Sequence, residues 1–180
     1  MASLHETLDG LLGPEYLDGL ESRSLDEIRV MRAECQQAEL ELSYLRRLAQ
    51  GRLDIVHAYL DAHRAGGAGD LAQLVDELPT ILAGEHSRPT GPGRNPSLLS
   101  SDIDWHEVTG ELDGVLDADG VGHLGDLDDE ALESLAGRLG SIEKRVSRQR
   151  RELHERIDSL QLELVSRYKT GKASVEGLLS

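Results

Sequence analysis

Apolar residues recur in steps of three and four along two long stretches of this chain. The first stretch carries Ala38, Leu42, Leu45, Ala49, Leu53, Val56 and Leu60. The second carries Ile142, Val146, Gln149, Leu153, Ile157, Leu160 and Leu164, each 104 residues after its counterpart. One position departs, with polar Gln149 set against Leu45. The steps alternate three and four with one extra four, a heptad seam carrying a stutter. This pattern predicts two amphipathic helices of about 40 residues whose seams bury against each other.

End signals bracket both helices. Ser24 followed by Glu27 forms a capping box. The first helical pattern then runs to about Arg64, where Gly66 and Gly67 stop it. Asp126 or Asp128 caps the second, which runs from about Leu127 to Tyr168 and ends before Gly171. The expected organisation is therefore a short N-terminal helix or arm over 1–22, a long helix over 23–65, a connection over 66–126, a second long helix over 127–170 and a frayed tail over 171–180. The connection is expected to be partly disordered. Residues 70–83 read as short helical turns interrupted at Pro79, and 84–101 as a mobile linker rich in Pro, Gly and Ser. Residues 102–126 read as loop with a short helix, with Trp105 in a small satellite core. The fold class is all-α: a long antiparallel two-helix coiled-coil hairpin with an irregular long connection. Two helices make a thin core, which a ligand or partner would stabilise.

A polar pattern repeats in phase with the seam. Glu39, Ser43, Arg46, Gln50 and Asp54 are spaced by four, three, four and four, and Glu143, Ser147, Arg150, His154 and Asp158 repeat that spacing. On an α-helix each set falls within about 80° of arc and forms a stripe roughly 22 Å long. Each stripe residue follows a seam residue by one position, so the stripe flanks the groove between the helices. A solvated face with i,i+4 pairs is the plain alternative. It does not account for Glu, Ser, Arg, an amide or imidazole, and Asp kept in order while neighbours diverge, as Gln37 does from Ser141.

Antiparallel packing has a pseudo-twofold axis that puts identical flanks on the same side. With that axis through the middle of both stripes, Glu39 is expected near Asp158, Ser43 near His154, Gln50 near Ser147 and Asp54 near Glu143, with Arg46 and Arg150 beside the axis. Two such cations repel unless an anion sits between them. Guanidinium forks fit phosphate oxygens and the O6/N7 edge of guanine, and carboxylates accept from N–H groups of guanine. The set suits a twofold-symmetric ligand with guanine bases and phosphates, of which cyclic di-GMP is one.

The motif E-x3-S-x2-R-x3-Q-x3-D, once on each helix of an antiparallel coiled coil, resembles the signature of the RsiG anti-sigma factors of actinobacteria. Residues 39–54 match it completely, and residues 143–158 match at four of five places, with His154 where Gln is expected. The resemblance implies that the ten stripe residues bind cyclic di-GMP as a stacked pair of molecules. It implies further that the loaded protein sequesters a WhiG-like sporulation sigma factor, releasing it when the nucleotide falls. Periodicity and spacing alone give only a symmetric polar platform, and a ligand-independent coiled-coil adaptor is the competing reading.

Composition narrows the partners. The formal charge of −15 argues against direct nucleic-acid binding, since phosphate backbones reward clustered Lys and Arg. Cys35 is the only cysteine and falls in the apolar pattern, so it reads as a small buried hydrophobe in a cytoplasmic protein. Acidic residues close behind Met1 and the lack of an apolar h-region argue against a signal peptide, and no apolar run approaches the ~20 residues of a membrane span. No phosphate loop or nucleophile with a placed base points to an enzyme. His57 with Asp61 and His154 with Asp158 are each one turn apart, but they are not equivalent in the repeat, so no metal site is expected. Asp117-Ala118-Asp119-Gly120 resembles the start of a calcium loop without its later ligands, and is read as a turn.

Overall fold

The computed structural model describes residues 4–64 and 105–170. The helical turns expected over 70–83, the linker over 84–101 and the tail over 171–180 lie outside the described residues, as does the side chain of Trp105. The architecture is all-α, with no strand among the described residues. In chain order the helices are α1 (Leu4–Leu12), α2 (Leu25–Arg64), α3 (Trp105–Asp113), α4 (Ala118–Gly122) and α5 (Asp129–Lys169). Short 3-10 turns, Leu20–Ser22 and Leu124–Asp126, precede the two long helices.

Local chemistry explains both long-helix starts. The Ser24 hydroxyl accepts from Glu27 N at 3.2 Å while the Glu27 carboxylate accepts from Ser24 N at 2.6 Å. This is the reciprocal capping box that satisfies two orphan donors. Of the two candidates at the second start, Asp128 caps α5, accepting from Ala131 N at 2.9 Å. The 3-10 turns and caps are themselves 104 residues apart, so the repeat extends ahead of the long helices. Gly19 enters the first turn at φ 67°, in the left-handed region where only Gly is unstrained. Segment 105–126 holds more helix than its glycines suggest, because Val108, Leu112, Leu116 and Leu124 are all buried there. Asp117 begins α4 as its N-cap, accepting from Gly120 N at 2.7 Å.

The chain divides into two compact units, Met1–Tyr44 with Arg145–Ser180, and Leu45–Lys144. In each, a segment of α2 runs antiparallel to a segment of α5. In the first, Arg29 bonds the Tyr168 hydroxyl and Arg32 bonds Gln161, so rising numbers on α2 meet falling numbers on α5. In the second, Arg46 lies near Glu143, whereas Arg64 bonds Glu133 and His63 bonds Asp129. Within each unit the two long helices thus pair antiparallel, as expected.

The buried residues follow the seam and prolong it. Ile28, Met31 and Cys35 continue it on α2, and Leu132, Leu135 and Leu139 continue it on α5, again 104 residues apart. Cys35 is fully buried, and burial pushes its thiol pKa up, as suits a packing residue. Burial weakens at the stutter, where Leu53 and Ile157 are only partly covered. Gln149 is likewise partly exposed where its counterpart Leu45 is buried.

Each unit also carries a short helix held by an arginine clamp. In the first, Leu8 and Leu11 of α1 are buried, and Arg156 of α5 donates to the carbonyls of Leu12 and Gly13 at 2.6 and 3.2 Å. In the second, Arg52 of α2 binds the Asp113 carboxylate at the end of α3 and the Leu116 carbonyl beyond it. Arg52 and Arg156 are 104 residues apart. Both satisfy carbonyl or carboxylate groups where a helix has ended and its last acceptors lack partners. Arg167 repeats the device on the Leu20 and Arg23 carbonyls.

These clamps are local to their units. Arg52→Ala is expected to speed amide hydrogen exchange in α3 and leave α1 protected, and Arg156→Ala to do the converse. Peptide-resolved exchange mass spectrometry checks this, and equal loosening of both short helices in either variant would contradict it.

Candidate functional site

The stripe residues sort into two sets that use the same chemistry. In the first unit Glu39, Ser43, Arg150 and His154 converge. The Glu39 carboxylate is nearly buried, with 6% of its side chain exposed. Its Oε1 accepts from Ser43 Oγ at 2.7 Å and from Arg150 Nη2 and Nε at 2.9 and 3.2 Å, and lies 3.3 Å from His154 Nε2. In the second unit Glu143 takes the equivalent partners from α2. Its Oε1 is 3.4 Å from Gln50 Nε2 and 3.7 Å from Arg46 Nη1. Glu39 with Arg150 and His154 therefore corresponds to Glu143 with Arg46 and Gln50, with the roles of the two helices exchanged.

The two copies differ in tightness. Arg150 is held by a charge-assisted pair of bonds, the strong form of this interaction. Arg46 stands beyond hydrogen-bond distance of Glu143. Its Nε is buried and has no hydrogen-bond partner, a condition shared by Arg32 and Arg156. Each set by itself places a guanidinium group with an amide or imidazole beside a carboxylate, donors and acceptors of the kind that phosphates and guanine edges engage.

Several expected neighbours differ from those found. Glu39 meets His154 and Arg150, one and two turns before the expected Asp158, and Glu143 meets Gln50 and Arg46, one and two turns before the expected Asp54. The helices keep the expected register, in which Arg29 faces Tyr168 and Arg64 faces Glu133. Within it the long side chains lean along the axis, so that each Glu meets a cation on the opposite helix. Nor do the arginines need an external anion, since Glu39 and Glu143 already compensate Arg150 and Arg46. Asp54 and Asp158 are exposed at the ends of their stripes, and Ser147 is partly buried.

The polar flank is longer than the motif. Arg32, seven residues before Glu39 and so in the same helical phase, bonds Gln161. Arg29 with Tyr168 and Arg64 with Glu133 are again equivalent pairs, 104 residues apart in both members. Continuing the seven-residue phase upstream of Glu39 would have revealed Arg32. The others required knowledge of the opposite helix.

Glu39 is the electrostatically unusual member. Burial raises its pKa, but hydrogen bonds from Ser43 and Arg150, with the charges of Arg150 and His154, outweigh that and hold it below the ordinary carboxylate value. A carboxyl that binds its proton more weakly when folded stabilises the fold above its unfolded pKa, about 4.3 for Glu, and loses that contribution as pH falls through the folded value.

A family model described as RsiG-like matches residues 14–82 and 119–180. No curated protein matches the chain at the level that marks a relative. Among the described residues no group of three or more His, Cys, Asp or Glu is placed to hold a metal ion, and no helix is long and apolar enough to cross a membrane.

Glu39→Gln is expected to lower stability at neutral pH by about 2 kcal/mol, the usual worth of a buried hydrogen bond to a charged group. The difference from wild type should shrink below pH ~4.3. Urea unfolding followed by circular dichroism over a pH series measures it, and a gap that stays constant into acid would show that Glu39 is not held as an anion.

Proposed function

The chain belongs to the RsiG-like family, and from that premise we propose that it is an anti-sigma factor gated by cyclic di-GMP. The observation that carries this reading is the twofold occurrence of one recognition set. An arginine, a carboxylate and an amide or imidazole come together in each unit, with the two helices exchanging roles. A cyclic dinucleotide has the matching property, since each half presents the same guanine and phosphate groups. Glu39, Ser43, Arg46, Gln50, Asp54, Glu143, Ser147, Arg150, His154 and Asp158 are the proposed contacts, taken up by two molecules of the nucleotide.

Arg46 and Arg150 supply forks for phosphate or the guanine O6/N7 edge. Glu39 and Glu143 hold those forks in place before binding. The ligand then competes with, or shares, bonds already made, and the looser Arg46 pair yields at lower cost than the Arg150 pair. His154 keeps a ring nitrogen where the family motif has an amide, so one hydrogen bond of either sense remains available there.

The loaded chain sequesters a WhiG-like sporulation sigma factor in the cytoplasm. Because ligand and partner bind the same folded arrangement, each raises the affinity of the other by linkage. The protein neither catalyses a reaction nor contacts nucleic acid or membrane in this scheme. A ligand-independent coiled-coil adaptor would use the same arginine–carboxylate pairs for alignment alone and would bind no nucleotide.

The decisive pair of variants keeps the charges that Glu39 and Glu143 require. Arg46→Lys with Arg150→Lys removes the planar forks and retains the cations. Calorimetric titration with cyclic di-GMP, with GTP as control, is expected to give about two ligands per wild-type chain. The double variant should bind at least ~10-fold more weakly, as loss of bidentate contacts implies, with helical content unchanged. Equal affinity in the double variant would remove the stripes from the binding site.

A further inference from the structure

The first unit has a cleft of about 520 Å³ on a face that the recognition set does not use. Tyr16, Val30 and Met31 supply its apolar surface, and Asp26, Glu27 and Glu34 supply carboxylates, with Arg23 as the one cation. Tyr16 is fixed in place, its hydroxyl donating to the Met31 carbonyl at 3.0 Å. Val30 is 57% exposed, although its own helix buries Ile28 and Met31 on either side of it. All three carboxylates are on exposed residues, and Asp26 has 87% of its side chain in solvent.

Most of these residues are not shared between the two units, although Glu27 also closes the capping box with Ser24. One repeat later, Gly120 stands for Tyr16, Ser134 for Val30, Ala131 for Glu27 and Arg138 for Glu34. The seam, the caps and the arginine clamps recur at that interval, whereas the apolar anchor and most of its acidic rim do not. Val30 stands nine residues before Glu39, which puts it about 180° away around α2. A partner on Val30 therefore approaches a different side of α2 from a ligand on Glu39.

We propose that this cleft docks an amphipathic helix of the protein partner. One apolar side chain of that helix seats against Val30 and Tyr16, and flanking Lys or Arg residues face Asp26, Glu27 and Glu34. The inference rests on the anti-sigma reading for the identity of the partner and specifies which surface takes it. Charge chooses the occupant. The lining carries three carboxylates against one guanidinium, with Arg29 beside it bridging Asp26, and Glu27 and Glu34 are left without a cation of their own there. On a chain of formal charge −15 an acidic helix or a second copy of this chain is repelled.

The test uses the full-length chain saturated with cyclic di-GMP and a purified WhiG-like sigma factor, with affinity read by calorimetry at low and high salt. Val30→Asp is expected to weaken sigma binding at least ~10-fold, the scale for loss of a central anchor. Glu34→Lys should weaken it at low salt and approach wild type at high salt, where a rim charge is screened. Both positions are exposed, and nucleotide affinity and helical content should stay at wild-type values. Wild-type sigma affinity in both variants would overturn the inference, and so would parallel loss of nucleotide and sigma binding. If the wild-type chain binds the nucleotide but not the sigma factor, the anti-sigma reading itself falls, and the cleft assignment with it.

Discussion

Two helices of 40 and 41 residues, each with one apolar stripe, must cover those stripes with something. Each covers the other. This mutual burial is the constraint from which the remaining features derive, because it sets which polar residues lie beside the seam and which helix faces are left for the short elements. The residues that carry it recur at an interval of 104 from Ile28 and Leu132 to Leu60 and Leu164. Where the heptad stutters the cover thins at Leu53 and Ile157, as a local change of phase requires.

Arginine is the second organising residue. The hairpin has too little apolar surface to hold short helices by packing alone, since α1 has only Leu8 and Leu11 fully covered. Arg52, Arg156 and Arg167 add charge-assisted bonds to acceptors that terminated helices and turns leave open. Arg46 and Arg150 do something different. They meet carboxylates on the opposite helix, so that the set proposed to take the nucleotide also ties the two helices together in each unit.

That double use accounts for an acidic residue being nearly buried in a chain rich in acids. Glu39 is tolerated because four donor atoms surround one of its oxygens. Removing Arg150 altogether would strand a buried charge, a change that costs more than the loss of one surface pair. The equivalent Glu143 sits in a more open and looser arrangement, with 21% of its side chain exposed. The two copies of the motif thus share chemistry and differ in how closely their ion pairs are drawn together, which alignment of their residue types does not convey.

The sequence by itself determined the helices, their ends, the seam and the stripe. Helical limits are written in caps and breakers such as Ser24, Glu27 and Asp128, and the faces are written in spacing. Spacing also isolated all ten stripe residues, seven of which meet in the two clusters. The axis drawn through the stripes gave the register, in which Arg29 faces Tyr168 and Arg64 faces Glu133. What spacing cannot give is how far a long side chain leans along the axis, so it named Asp158 opposite Glu39. Only the tertiary structure decided that each carboxylate reaches a guanidinium one or two turns away. The same holds for α3 and the clamps of Arg52 and Arg156, whose acceptors are distant in the chain and have no local signal.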